Sequence, residues 1–227
     1  MLGLKTSPAA ADFRRKLRQV HQEVSQAPER AAQYLTPDCV WDIAHPVNQL
    51  VGPDAVAQKF LEPLRAGLEH MERRDFMVLG GTSRLHEKGT WVACMTHYVG
   101  NFTAPLFGLK PKGSMIWLRS GEIYRVGGEG RIAEAKILLD LVDVMHQTKR
   151  MPIPTLGCEV TFPAPLTQDG LCPPAEERDA FDVVARMMET LGTYVPGSWT
   201  SEGQTGTDGG WAENMLWYGP GAIGSNY

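Results

Sequence analysis

The sequence predicts an α+β fold, a cone-shaped curved antiparallel sheet with helices packed on it. Before Asp75, apolar residues recur at spacings of three and four; from Asp75 onward the period becomes two. A Gly-Gly-Glu-Gly turn then joins two long apolar arms. Helices first and a meander of strands afterwards is the α+β order.

The first helix starts at Ser7-Pro8, a capping hydroxyl followed by proline at the first helical position, and carries Ala10, Phe13, Leu17, Val20 and Val24 on one face. A shorter helical piece is expected from Pro28 to Leu35, then a short strand over residues 39–43. His45-Pro46 and Asn48 form a loop ending at Gly52-Pro53. Residues 54–68 read as a second amphipathic helix through Val56, Phe60, Leu61, Leu64 and Leu68. Four long strands follow, over residues 76–83, 91–101, 114–126 and 132–141. Glu87-Lys88-Gly89 turns the first hairpin, and residues 105–113 make a longer connection.

The last arm alternates. Glu134, Lys136, Leu138 and Asp140 share one face; Ala135, Ile137 and Leu139 share the other. Charges at every second position of an apolar strand suggest a cavity wall, and the cone mouth is a natural entry for a small molecule.

The bulk numbers exclude several classes. A chain of 227 residues with 43% hydrophobic and 21% charged residues has ordinary globular composition. A net charge of -4 gives no polybasic surface for nucleic acid or anionic lipid. No run has transmembrane length and no signal-peptide core is present, so a cytoplasmic location is expected. Cys39, Cys94, Cys158 and Cys172 form no Cys-x-x-Cys pair, and reduced thiols are the default, with Cys158 and Cys172 the one pair considered for a bridge.

Asp140 closes the final strand. Buried beside a cavity, its carboxyl would be pushed toward a pKa at which it exchanges protons near neutrality; otherwise it ties down the sheet end. His97, deep in its strand, is either a satisfied core histidine or a proton shuttle. His45 either caps the mouth or fixes a turn. Arg119, Glu122, Tyr124 and Arg125 alternate between faces so that at most two point inward, and one reading makes Arg119 and Arg125, which share parity, outer ion-pair partners. Asp140, Asp143 and His146 do not share a helical face if the strand ends near Asp140, and no metal or cofactor is expected. Gly219-Pro220-Gly221-Ala222-Ile223-Gly224 matches a dinucleotide fingerprint in letters but lacks the βαβ unit and downstream acid.

Beyond residue 150 the texture changes. Residues 151–175 are proline-rich and read as a linker or strap. Residues 176–227 repeat the first segment's order of helix, Trp and Gly-Pro-x-Ala-aliphatic, at Phe181, Trp217 and Gly219-Pro220-Gly221-Ala222-Ile223, and stop before any sheet. The expected organisation is one domain over 1–150, the linker, and an incomplete second copy.

Several of these segments resemble the SnoaL-like polyketide cyclases, or ester cyclases, of the nuclear transport factor two-like fold. They are Trp41 with His45-Pro46, Gly52-Pro53-Asp54-Ala55-Val56, Glu72-Arg73-Arg74, Thr96-His97-Tyr98-Val99-Gly100, Leu118-Arg119-Ser120-Gly121-Glu122, and Gly130-Arg131-Ile132-Ala133-Glu134 leading to Asp140 and Met145-His146-Gln147. The resemblance implies a cone with a pocket and a cofactor-free, intramolecular aldol closure of an enolisable carbonyl compound. Asp140 would be its acid/base, and His97 would orient the carbonyl. Trp41, His45, Met115, Trp117, Arg119 and Tyr124 are the expected substrate contacts. A homo-oligomer is expected, built through the sheet or the tail. A non-catalytic small-molecule-binding or assembly module of the same fold is the alternative; an isomerase or dehydratase using the same acid is a third reading.

Overall fold

Six strands form one mixed, open, curved sheet in the order β2-β1-β6-β5-β4-β3. The structure is a computed structural model that describes residues 15, 19–20, 22–24, 26–82, 89–154, 182, 184–185 and 187–189. The strands are β1 (Leu35–Ile43), β2 (Asn48–Val51), β3 (Leu68–Thr82), β4 (Thr90–Phe102), β5 (Met115–Val126) and β6 (Ile132–Leu139). Neighbours run antiparallel except β1 and β6, which are parallel. The fully antiparallel expectation fails at that seam. β1 pairs with the last strand, and the direction of so distant a pairing leaves no local mark on the sequence.

Two further differences have local causes. β2 is only four residues long and follows a turn with a cis His45-Pro46 bond, too short for a periodic signal. β3 begins at Leu68 rather than at residue 76, because the charges of its first half disguise the alternation. Arg73 and Asp75 are in fact buried together, 2.9 Å apart. Register shifts between Glu69 and Glu72 and between Asp75 and Met77 break the period again.

The helical described residues between 15 and 26 bring Val20 and Val24 into the core. A single turn, α1 (Ala31–Tyr34), precedes β1. The long α2 (residues 53–67) begins with Pro53 after Gly52, whose φ of 82° a side chain would strain. It passes through a wide π turn at Ala57–Leu61 just before Pro63, the residue without an amide to donate. Val56, Phe60, Leu61 and Leu64 of its expected stripe are buried.

These helices cover one face of the sheet, called inner below. Trp41 of β1 sits between Phe60 of α2 and Tyr124 of β5, with ring centroids 5.9 and 5.8 Å away. Ile116, Leu118, Val92 and Phe102 continue that core. The other face of β6 carries Glu134, Lys136 and Leu138, and there the expectation of a cavity wall is corrected. Leu138 is 64% exposed, and the face looks outward over an open trough rather than into the cone.

β6 ends at Leu139, leaving the first part of β5 without a strand on that side. Helix α3 (Leu141–Gln147) fills the vacated place. The Gln147 carboxamide accepts from the Trp117 N–H and donates to the Trp117 carbonyl, both at 2.9 Å, as a neighbouring strand would have done. Cys158 and Cys172, the one pair considered for a bridge, and nearly all of the linker and second-copy segments lie outside the described residues. Within residues 176–227, the six described positions are helical.

Candidate functional site

Asp140 is the N-cap of α3. Its Oδ1 accepts from the Asp143 N–H at 3.0 Å and its Oδ2 from Arg119 Nη2 at 2.7 Å. The backbone doubles the tie, since the Asp140 N–H donates to the Arg119 carbonyl at 2.9 Å. Both side chains are under one-tenth exposed. Two charges taken out of water need such pairing, because either left alone there would carry an uncompensated desolvation cost. Asp143 is buried too; desolvation raises its carboxyl pKa, and Gln147 Nε2 donates to it at 2.6 Å.

His97 lies across from Arg119 in the β4–β5 register. The Phe76 and Trp117 rings pack on it at 5.1 and 5.7 Å, and Arg74 stacks over the far partner, Trp117, at 5.3 Å. Phe76 reaches this face because the β3 register shift falls at its position. Burial, reinforced by the Arg119 charge, lowers the His97 pKa to about 4, so the imidazole is neutral at neutral pH. The unfolded chain binds this proton from about pH 6.5 downward and the folded chain only near 4. Stability is therefore whole above 6.5 and falls as pH drops through that window, by up to ~3 kcal/mol. Asp143 acts in the opposite sense, so the His97 share is isolated by comparison. Urea titrations at pH 4.5 and 7 should show a smaller acid loss in His97→Gln than in the native chain.

A second polar cluster occupies the inner face. Glu122 accepts from Tyr98 OH at 2.8 Å, from Tyr124 OH at 2.7 Å and pairs with Arg73 Nη2 at 2.7 Å. Arg73 also donates to Tyr98 at 2.8 Å and to Asp75 at 2.9 Å. Burial first and the Glu122 charge second raise both phenol pKa values well above normal. Burial likewise raises the pKa of the neighbouring Cys94 thiol. Above this floor a small hollow of about 10 Å³, room for roughly one water, is lined by residues that include Trp41, Tyr98, Val20, Val24 and Leu61. Trp41 Nε1 is buried there with no acceptor among the described residues.

The residues expected from sequence thus divide between two faces. Asp140, His97, Trp117 and Arg119 meet at one end of the outer side. Trp41 and Tyr124 stand together on the inner side. Met115 is 60% exposed and His45 is exposed in the β1–β2 turn, away from both groups. Arg119 and Arg125 are outward ion-pair partners, of Asp140 and Glu134. Sequence reasoning missed the Arg73–Asp75–Tyr98–Glu122 cluster as a unit. The available signal was a carboxylate, Glu122, two positions from a tyrosine in an apolar strand.

An open curved sheet with its helices on one face, a buried acid where the last strand ends and a small hollow beneath the helices define a cone-type α+β domain. A family model described as SnoaL-like polyketide cyclase matches residues 14–148, and the chain belongs to that family. A protein of Jannaschia sp. CCS1 assigned to the SnoaL-like polyketide cyclases superposes with a TM-score of 0.51 at 17% identity, over 65% of this chain and 97% of that one. AclR from Streptomyces galilaeus gives 0.50 at 15% identity, over 64% and 90%. At such identities the likeness speaks for the fold alone. A comparison with curated protein sequences gives no match. No helix among the described residues is long and apolar enough to cross a membrane.

Proposed function

We propose that this SnoaL-like chain is a non-catalytic binding or assembly module in which Asp140 fastens the last helix to the sheet. One observation carries the reading. Both Asp140 oxygens are engaged, one by Arg119 and one by the helix backbone, and neither the outer trough nor the inner hollow is lined by Asp140 or His97. The lone pairs Asp140 would use to take a proton from carbon already accept from a guanidinium and an N–H, and the His97 imidazole is packed between two rings. Gln147 supports the same role, since its clamp on Trp117 fixes the other end of α3. The test is a panel of enolisable carbonyl substrates with native protein and Asp140→Asn. The reading expects no turnover that Asp140→Asn abolishes, and a lowered Tm in the variant. Turnover lost at unchanged Tm would contradict it.

The cyclase-like reading, a cofactor-free acid/base enzyme on an enolisable carbonyl, has one observation in its favour: Trp41 Nε1 is a buried donor waiting at a hollow that Tyr98 also lines. A carbonyl oxygen lodged there would accept from Trp41, with the Tyr98–Glu122 pair as the nearest proton carrier. Such a ligand fits only if the helix bearing Val20 and Val24 moves away. On this reading Glu122→Gln, rather than Asp140→Asn, removes turnover.

A further inference from the structure

Charge is divided unevenly along the chain. Residues 1–150 hold 20 lysines and arginines against 16 acids, whereas residues 151–227 hold ten acids, two arginines and no lysine. A net charge of -4 therefore hides a basic body and a strongly acidic tail. The body's positive charge gathers at one end. No acid occurs between Glu87 and Glu122, nor between Asp143 and Glu159, and the fold brings these two acid-free stretches together. The Arg150 guanidinium donates to the Lys110 carbonyl, and Gln147 clamps Trp117 close by. Lys110, Lys112, Lys149 and Arg150 are all exposed there, and none has an ion-pair partner among the described residues. On β3, two strands from β5, Glu69 and Glu72 already stand beside His70 and Arg74. Next to the cations lies a groove of about 520 Å³ along His146, Lys149, Met151 and Ile153, and Ile153 is 53% exposed.

We propose that this basic end is the docking surface for the acidic stretch of the same chain at residues 176–182. Charge complementarity names the occupant. Glu176, Glu177, Asp179 and Asp182 stand there against Arg178 alone, the densest run of acid in the tail, and Phe181 supplies an apolar group for the groove beside Ile153. Like charges crowded at one end repel one another, and an anionic segment laid across them turns that repulsion into attraction. The tether favours the same choice. The chain leaves the groove at Pro154 and comes to Glu176 22 residues later. That length spans up to roughly 70 Å when extended, so a return to its own root is within reach. A flexible tether of this size keeps the acids at an effective concentration on the order of millimolar. The outer trough is a poorer seat for them, since its walls are apolar and the single cation among its lining residues, Lys136, already faces Glu134. The inference is independent of the role assigned to Asp140.

Carbodiimide coupling of the full-length chain, read by mass spectrometry, tests the proposal, because it joins a carboxylate to an amine only where the two touch. Bonds from Glu176, Glu177 or Asp179 to Lys110, Lys112 or Lys149 are expected at about 0.05 M salt and should fade at about 0.5 M. Reversing the charges on both sides, with Lys110→Glu/Lys112→Glu and Glu176→Lys/Glu177→Lys, should restore the coupling that either half alone removes. Tryptic cleavage after Arg178 supplies a rate. It should quicken by roughly 10-fold in Lys110→Gln/Lys112→Gln/Lys149→Gln, since cleavage of a docked segment follows the fraction undocked. Circular dichroism of that variant should be unchanged, because all three lysines are exposed. A cleavage rate indifferent both to salt and to the lysine substitutions overturns the proposal. So do bonds from the acidic stretch to Lys136 in place of these, or bonds found only between differently isotope-labelled chains, which would seat the stretch on a second copy.

Discussion

Asp140→Ala is expected to lower the unfolding free energy by about 3–5 kcal/mol, as read from urea titration. Most of that loss comes from Arg119, which stays buried at the β4–β5–α3 junction with its partner gone. The missing N-cap bond to Asp143 contributes about 1 kcal/mol of it. Asp140→Asn separates the two, because asparagine still caps a helix but carries no charge; it should retain the smaller share and lose the larger. Charges on the outer surface set the scale. The Arg74–Glu72 pair is more than half exposed on both sides, and its removal should cost under about 1 kcal/mol. A fall of that small size for Asp140→Ala would mean the ion pair is not what holds α3.

Glu122→Ala should be as severe, again about 3–5 kcal/mol, through a different group. Arg73 keeps Asp75 but loses its Glu122 contact, while Tyr98 and Tyr124 lose their acceptor. Each buried donor left without an acceptor carries its own desolvation penalty. Replacing the cluster's charges together, with Arg73→Met, Asp75→Ala and Glu122→Leu, should cost less than Glu122→Ala alone, because no charge is then stranded. Thermal unfolding of the two variants side by side gives the comparison. A triple variant far below the single one would show that the cluster contributes more than mutual compensation.

Periodicity carried the helices well, because Val56, Phe60, Leu61 and Leu64 form an uninterrupted stripe that packing then buried. It carried the long strands less evenly. β4 and β5 pair without a break in register, whereas the inward Arg73 and Asp75 of β3 read as surface charges until their partner Glu122 is placed beside them. Which side of a strand faces the helices was not legible. His97 and Tyr98 are neighbours in sequence with equal claims to a cavity, and β5 has arginine on one parity and Glu122 with Tyr124 on the other. Alternation separates two faces but does not say which one the helices will cover; that depends on Trp41 meeting Phe60, a contact 19 positions apart. Asp140 directly follows the last strand, which ends at Leu139. Its pairing with Arg119 depends on the β5–β6 register and on the strand stopping at Leu139, one residue before the carboxylate turns to cap α3.

The double-mutant cycle of Asp140→Asn with Arg119→Met tests the fastening role most directly. If the carboxylate exists to hold α3 through the guanidinium, removing either partner strands the other and removing both does not, so the unfolding free energies should show a coupling of about 2 kcal/mol or more. Losses that simply add, within about 0.5 kcal/mol, would contradict that role.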